Sequence, residues 1–152
     1  MFYTSFWIYI AVVVILAGAT INVRKLRFID IQVMIMVIAV AMSCDMLFCK
    51  QFKLYYYVST EYKGWYSFWA NFVACPAIGL IFLKFIPSLK LRVVLYIVTW
   101  SAVFTLFELY VLKPYGILHT PSWNTILYSP IGYFLVLTLE YTYFKILKKR
   151  VK

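Results

Sequence analysis

The chain has 152 residues, of which 65% are hydrophobic, 21% aromatic and 13% charged, and its formal net charge is +10. This composition excludes an ordinary soluble domain and predicts a membrane protein. It also argues against nucleic-acid binding, because the basic residues flank apolar runs and no folded domain is left to carry a basic patch.

Five apolar runs, each 19 or 20 residues long, follow one another along the chain. At 1.5 Å per residue, a helix of that length crosses a hydrocarbon layer of about 30 Å. The runs are continuously apolar and do not alternate, so they predict helices and not barrel strands. We therefore expect an all-α, polytopic five-helix bundle, with residues 1–152 forming a single membrane domain. The predicted spans are Ser5–Val23, Ile31–Cys49, Trp65–Leu83, Val93–Leu112 and Thr125–Phe144.

Lysine and arginine fall unequally on alternate loops. One set of loops and the C-terminal segment hold eleven of the fifteen, and the other set holds four, namely Lys50, Lys53, Lys63 and Lys113. The positive-inside rule then places the N-terminus outside and the C-terminus in the cytoplasm. Four tryptophans agree with this orientation, since they lie near the outer ends of spans, where an amphipathic ring prefers the headgroup layer. They are Trp7, Trp65, Trp69 and Trp123.

No arrangement of catalytic or metal-binding residues is present. The chain lacks a nucleophile–His–acid spacing, an HExxH motif, a phosphate-binding loop and a dinucleotide fingerprint. Met42, Met46 and Cys49 share a helix face that soft ligands of a cuprous ion would need, but a methionine-rich packing face is the preferred interpretation. We expect no enzyme activity, no catalytic residue, no cofactor and no metal site.

Three acids, Asp45, Glu108 and Glu140, lie inside predicted spans. A carboxylate at the bilayer centre costs ~3 kcal/mol, so an acid within a span is a candidate functional residue. Each acid lies about one helical turn, ~6 Å, from the end of its span, and Asp45 and Glu108 match in depth near the outer surface. The alternative is that the acids only fix the register of the helices. The predicted outer polar site consists of Asp45, Glu108, Asn71, His119, Trp123 and Asn124.

Small and polar residues spaced by three and four form stripes on three of the predicted helices. Such stripes bring membrane helices together through close backbone approach and interhelical hydrogen bonds. On the fifth helix, the pattern predicts that Gly132 and Val136 face protein and that Leu137 does not. The stripes are Asn71, Cys75 and Gly79; Ser101, Thr105 and Glu108; and Thr125, Ser129, Gly132, Val136 and Glu140.

Several short motifs resemble those of a known family. They are Asp45-Met46-Leu47-Phe48 with Lys53-Leu54-Tyr55, Phe85-Ile86-Pro87, Trp100-Ser101, Phe107-Glu108, Gly116, and Trp123 with Tyr128-Ser129. Over roughly residues 25–148, the chain resembles an uncharacterised family of small five-span integral membrane proteins found mainly in spore-forming Firmicutes. The resemblance implies a multi-pass protein of the bacterial plasma membrane, or of a spore membrane derived from it, and it implies no activity.

Two function classes remain open. The first is a non-enzymatic accessory or interaction subunit, linked by the resemblance to sporulation or germination. The second is a small transporter or permeation component that uses the acidic site near the outer surface. The expected partners are the lipid bilayer and, for the first class, other membrane proteins or further copies of this chain.

Overall fold

The computed structural model describes residues 2–59 and 64–150, most of which are helical. The α-helices are α1 (Phe2–Val23), α2 (Phe28–Cys44), α3 (Trp65–Trp69), α4 (Cys75–Lys84), α5 (Lys90–Phe107) and α6 (Thr125–Arg150). Three π-helical segments directly follow an α-helix, namely π1 (Asp45–Gln51), π2 (Ala70–Ala74) and π3 (Glu108–Leu112). Two short strands, β1 (Tyr56–Tyr57) and β2 (Leu118–His119), pair antiparallel.

These elements form five helical rods at the positions of the five predicted spans. Rod 1 is α1, rod 2 is α2 with π1, rod 3 is α3 with π2 and α4, rod 4 is α5 with π3, and rod 5 is α6. Within the described ranges, four segments are long and apolar enough to cross a membrane: Tyr3–Val23, Phe28–Gln51, Trp65–Lys84 and Lys90–Leu112. Rod 5 has 26 residues but is less apolar, because Pro130, Glu140 and several tyrosines interrupt it. The all-α fold is confirmed and is consistent with a membrane bundle, whereas the number of spans and their orientation stay predictions.

Rod 3 lies at the centre of the bundle. Its α4 helix contacts α1, α2 and α6, and α5 packs on α6. One apolar core joins rods 1 and 3, for example through Phe6 and Ala74, and a second joins rods 2 to 5, for example through Val33, Phe82 and Leu137. Because rod 1 packs mainly on rod 3, most of its apolar side chains face outward.

Successive loops lie at alternate ends of the bundle. At one end, here called the basic end, the Arg24 guanidinium donates to the Lys84 carbonyl at 2.7 Å and the Arg27 guanidinium lies over the Phe144 ring. At the other end, here called the aromatic end, β1 from the loop after rod 2 pairs with β2 from the loop after rod 4. This alternation is the arrangement that the charge pattern predicts. Lys63 and Lys152, which entered that pattern, lie outside the described residues.

The π-helical segments coincide with polar residues of the predicted site. π1 begins at Asp45, π3 begins at Glu108, and π2 contains Asn71. The Lys113 N–H, for example, donates to the Glu108 carbonyl five residues back, at 3.0 Å. Pro76, just after π2, has no N–H and so removes a bond from the α-helical ladder. Short π-helical turns of this kind are frequent at functional sites.

The predicted stripe on rod 5 is wrong at its middle positions, Gly132 and Val136, whereas Thr125, Ser129 and Glu140 are buried as predicted. Leu137 is 4% exposed, whereas Val136 is 36% exposed, and a Cβ added to Gly132 would meet nothing within 4 Å. Ser129 and Glu140 are both buried, as expected. Because they are eleven residues apart, the buried face between them can run along either of two neighbouring sides of the helix. The face used here runs through Tyr133 and Leu137, because Tyr133 reaches Glu108 and Leu137 fills the second core.

Candidate functional site

Rod 3 presents a polar face to the bundle interior, formed by Asn71, Cys75 and Gly79. These residues are spaced by four and share one side of the rod, as the sequence predicts. Asn71 and Gly79 are buried, and the Cys75 Sγ atom lies 3.9 Å from Asn71 Oδ1. Acids from other rods approach this polar face at two levels, Asp45 near the aromatic end and Glu140 closer to the basic end.

Asp45 enters the bundle from rod 2 at the first residue of π1 and is 5% exposed. Its carboxyl group interacts with the side chains of Ser67, Asn71 and Tyr55, and the charge of Lys50 acts on it from the same segment. Within the described part of the chain, the Asp45 Oδ1 atom is buried and accepts no hydrogen bond. Asp45 and Asn71, two of the predicted site residues, are therefore brought together.

Tyr55 lies in the loop between rods 2 and 3 and covers the Asp45 carboxyl group from the aromatic end. Burial, reinforced by the nearby charge of Asp45, raises the pKa of the Tyr55 phenol well above its ordinary value. The phenol consequently stays neutral over the physiological pH range and keeps its O–H as a donor. Tyr55 was missed as a site residue because nothing in the local sequence distinguishes it from the adjacent Tyr56 and Tyr57.

Glu108 has a complete set of partners on rod 5. The Thr125 hydroxyl donates to Glu108 Oε1 at 3.0 Å, and the Tyr133 hydroxyl donates to Oε2 at 2.9 Å. Glu108 is 3% exposed, and Ser101 and Thr105 on the same stripe are also buried. Glu108 thus joins rod 4 to rod 5 by hydrogen bonds, which is the packing role that its stripe predicts.

The remaining predicted residues lie at the aromatic end with other neighbours. The His119 ring stacks on Tyr56 with centroids 4.8 Å apart. The Trp123 indole N–H donates to the Ser129 hydroxyl at 2.9 Å, and the exposed Asn124 accepts from the Leu127 N–H at the start of α6. No contact described in the structure joins these three side chains, or Glu108, to Asp45, so the shared site of all six residues stays a prediction.

Glu140 comes from rod 5 and is 2% exposed. Its Oε1 atom is buried and, in residues 2–59 and 64–150, has no hydrogen-bond partner. The carboxyl group lies against Gly79, where an added Cβ would come within 2.7 Å of Oε1. Glycine at this position therefore makes the space that the carboxyl group occupies.

Asp30, at the basic end, is a buried acid that the sequence reasoning passed over. Its carboxylate accepts from the Arg27 backbone N–H at 2.8 Å, pairs with the Arg27 guanidinium and forms an ion pair with the buried Lys84 ammonium group. Lys84 Nζ also donates to the Lys25 carbonyl at 2.8 Å. A signal was available, since Asp30 is an acid three residues after the last of three closely spaced basic residues and occupies the first turn of a helix, where its charge is favoured.

The buried polar groups of these rods are mainly carboxyl groups, hydroxyl groups and one amide. Across the ranges that the structure describes, no group of three or more His, Cys, Asp or Glu residues could hold a metal ion. Buried carboxylates in a membrane-embedded bundle can instead gain and lose protons or contact a small cation. In comparisons with known proteins, no family model, no curated protein and no solved structure matches this chain.

Proposed function

We propose that the chain is a five-span protein of the bacterial plasma membrane, or of a spore membrane derived from it, with the N-terminus outside and the C-terminus in the cytoplasm. The clustering of Arg24, Arg27 and Lys84 at one end of the bundle supports this orientation, since basic loops stay on the cytoplasmic side. A topology reporter fused after Lys152 should then read cytoplasmic, and one inserted in the loop 50–64 should read external. The opposite reading at either position would overturn the five-span arrangement.

Within that frame, we propose that the protein is a small permeation component that takes up protons or small cations at Asp45. The observation that carries this function is a carboxylate buried near the aromatic end with one oxygen that accepts no bond from the described residues. An acid that serves only the fold is expected to be fully hydrogen-bonded, because each buried polar atom left without a partner costs about 1–3 kcal/mol.

The surroundings of Asp45 fit such a role. Ser67, Asn71 and Tyr55 supply neutral polar groups that can bond either protonation state of the carboxyl, as a transient site requires. The π-helical turn that begins at Asp45 shifts the helix register at this point. The paired strands at the aromatic end hold the Tyr55 loop over the site.

Ion flux into vesicles tests this function. The purified protein is reconstituted into vesicles that contain a pH-sensitive dye, and a potassium gradient with valinomycin provides the driving force. Wild type and Glu108→Gln, the matched neutralisation of a fully bonded acid, should both pass protons, or a cation exchanged for protons. Asp45→Asn should lose at least tenfold in rate while it reconstitutes normally. Equal rates for Asp45→Asn and wild type, or no flux above empty vesicles, would contradict the proposal.

A second candidate, an accessory or interaction subunit connected to sporulation or germination, is supported by rod 1. Two apolar grooves, of about 430 and 330 Å³, flank this rod on either side of its contact with rod 3. Rod 1 packs on rod 3 along one side and has a groove on each flank of that contact. This arrangement is suited to binding a transmembrane helix of another protein. Leu16 lines the larger groove and is exposed, so Leu16→Trp should fill it. A membrane protein that co-purifies in mild detergent with wild type and equally with Leu16→Trp would count against this groove as its binding site.

A further inference from the structure

Among the described residues, Glu140 differs from Asp30 because no cation pairs with it, and from Glu108 because its Oε1 atom has no hydrogen-bond partner. Within the described ranges, ion pairs are formed by Asp30 with Arg27 and with Lys84, and by no other acid. Glu140 is nevertheless as deeply buried as Asp30 and lies within rod 5, ten residues before the end of α6. A charged carboxylate in such a setting would be neither solvated nor neutralised.

Gly79 on rod 3 is the described residue that lies directly against the Glu140 carboxyl group. The titratable side chains with a described electrostatic interaction with Glu140 are Cys75 on rod 3 and Tyr96 on rod 4. The Tyr96 hydroxyl itself donates to the Phe82 carbonyl at 2.9 Å. Rod 2 contributes the apolar side chains Val33 and Val37 to the core that it shares with rods 3, 4 and 5.

We propose that Glu140 is a proton-binding site inside the membrane and that the ion it takes up is H⁺ and not a metal cation. This inference deepens the proposed function, on which its transport role rests, by naming the species that is moved. A protonated carboxyl is neutral and needs no counter-charge, so it suits the surroundings just described. The space next to Gly79 holds the carboxyl group and is closed to a larger side chain on rod 3.

Coordination chemistry argues against a divalent metal ion at this position. A calcium ion takes six to eight oxygen ligands, and a magnesium ion takes six, several of which are usually water. Glu140 is a single carboxyl group packed against Gly79, and in the part of the chain that the structure describes no group of three or more His, Cys, Asp or Glu residues could hold a metal ion. A proton requires only one acceptor oxygen.

The polar face of rod 3 connects Glu140 to the Asp45 site. Asn71 adjoins Asp45, Gly79 adjoins Glu140, and the two positions are eight residues apart, or ~12 Å along the rod. Cys75 lies between them and interacts electrostatically with both acids. In this arrangement, Glu140 is a second proton-binding residue, deeper in the bundle, for protons that enter at Asp45 from the aromatic end.

Infrared spectroscopy of the purified, folded protein tests the protonation directly. A neutral carboxylic acid has a C=O stretching band that is resolved from the bands of carboxylates. At pH 7, the wild-type spectrum minus that of Glu140→Gln should contain such a band, and the spectrum of Glu108→Gln should retain it. Absence of the band from the difference spectrum at pH 7 would overturn the assignment.

Two further measurements keep the test decisive. Gly79→Ala retains Glu140 but moves its carboxyl group, so the band should shift or weaken. The control Gly132→Ala should leave the band unchanged. This comparison does not require Glu140→Gln and can be made even if that variant fails to fold. Addition of Na⁺, K⁺ or Ca²⁺ at constant pH should not remove the band, and its loss would show that a metal cation displaces the proton. If the band is present but no vesicle flux is measured, the proton site stands and the transport function is refuted. If flux is measured but the band is absent, the transport function stands and the proton site at Glu140 is refuted.

Discussion

At the basic end, the Asp30 carboxylate contacts a backbone N–H, a guanidinium group and an ammonium group, whereas beside rod 3 the Glu140 carboxyl group lies against Gly79, and its Oε1 atom has no hydrogen-bond partner among the described residues. Both residues are buried within one small bundle. The same contrast separates Glu108 from Asp45. Glu108 accepts hydrogen bonds from two hydroxyl groups, whereas the Oδ1 atom of Asp45 has no hydrogen-bond partner among the described residues. We call Asp30 and Glu108 the bonded acids, and Asp45 and Glu140 the open acids.

This contrast shows that burial alone does not identify the function of an intramembrane acid. A carboxylate whose donors are supplied by neighbouring rods stabilises the packing of those rods, and its removal leaves the donors unsatisfied. A carboxyl group with one buried oxygen that no described donor reaches contributes less to that packing, because the unpaired oxygen carries a desolvation cost. We therefore propose that the bonded acids serve the fold and that the open acids serve ion exchange.

The largest expected effect is at the basic end. Asp30→Ala leaves the Lys84 ammonium group buried without its counter-charge, which should reduce the free energy of unfolding by about 3–5 kcal/mol. The double variant Asp30→Ala/Lys84→Met removes both charges and should recover part of that loss. Chemical unfolding in mild detergent measures both. A double variant that loses the sum of the two single effects would show that the pair is not coupled.

A smaller effect is expected where rods 4 and 5 meet. Tyr133→Phe removes one hydrogen bond to the Glu108 carboxylate, and such a bond to a charged group contributes about 1.5–3 kcal/mol. Thr142→Ala is the matched control on the same helix, because its hydroxyl is exposed and donates only to the Thr138 carbonyl of its own helix. Indistinguishable unfolding free energies for the two variants would contradict the bonding role of Glu108.

The smallest of these effects compares two glycines. Gly79→Ala places a Cβ 2.7 Å from Glu140 Oε1, and the crowding should destabilise the bundle by about 1–3 kcal/mol. Gly132→Ala meets open space and should be neutral or stabilising by up to about 1 kcal/mol, because alanine favours the helix. Thermal unfolding in detergent separates the two, and equal melting temperatures would mean that the carboxyl group does not occupy the space beside Gly79.

The helical rods were predictable because their signal is local. A continuous apolar run near 20 residues long specifies a helix without reference to the rest of the fold, and each predicted span lies within one rod. Helix ends were less predictable, since α6 continues to Arg150, six residues past the predicted boundary. There the lysine-rich last turns extend beyond the apolar part of the helix.

The partners of the acids were not predictable, because they depend on contacts between distant positions. Asp30 and Lys84 are 54 residues apart, and nothing in either segment indicates the other. On rod 5, the spacing between Ser129 and Glu140 allowed either of two sides of the helix to be the buried one. Only the position of Glu108 on rod 4 selects the side that contains Tyr133. The π-helical turns likewise depend on packing around Asp45, Asn71 and Glu108.

The most direct test of the division between bonded and open acids is the thermal stability of four isosteric neutralisations measured side by side in one detergent. Asp30→Asn and Glu108→Gln should melt at clearly lower temperatures than wild type, because charged hydrogen bonds at the basic end and between rods 4 and 5 are weakened. Asp45→Asn and Glu140→Gln should melt at the wild-type temperature or above it. A loss of stability in Glu140→Gln as large as that in Asp30→Asn would contradict the account, since it would mean that the Glu140 carboxylate is bonded within the fold.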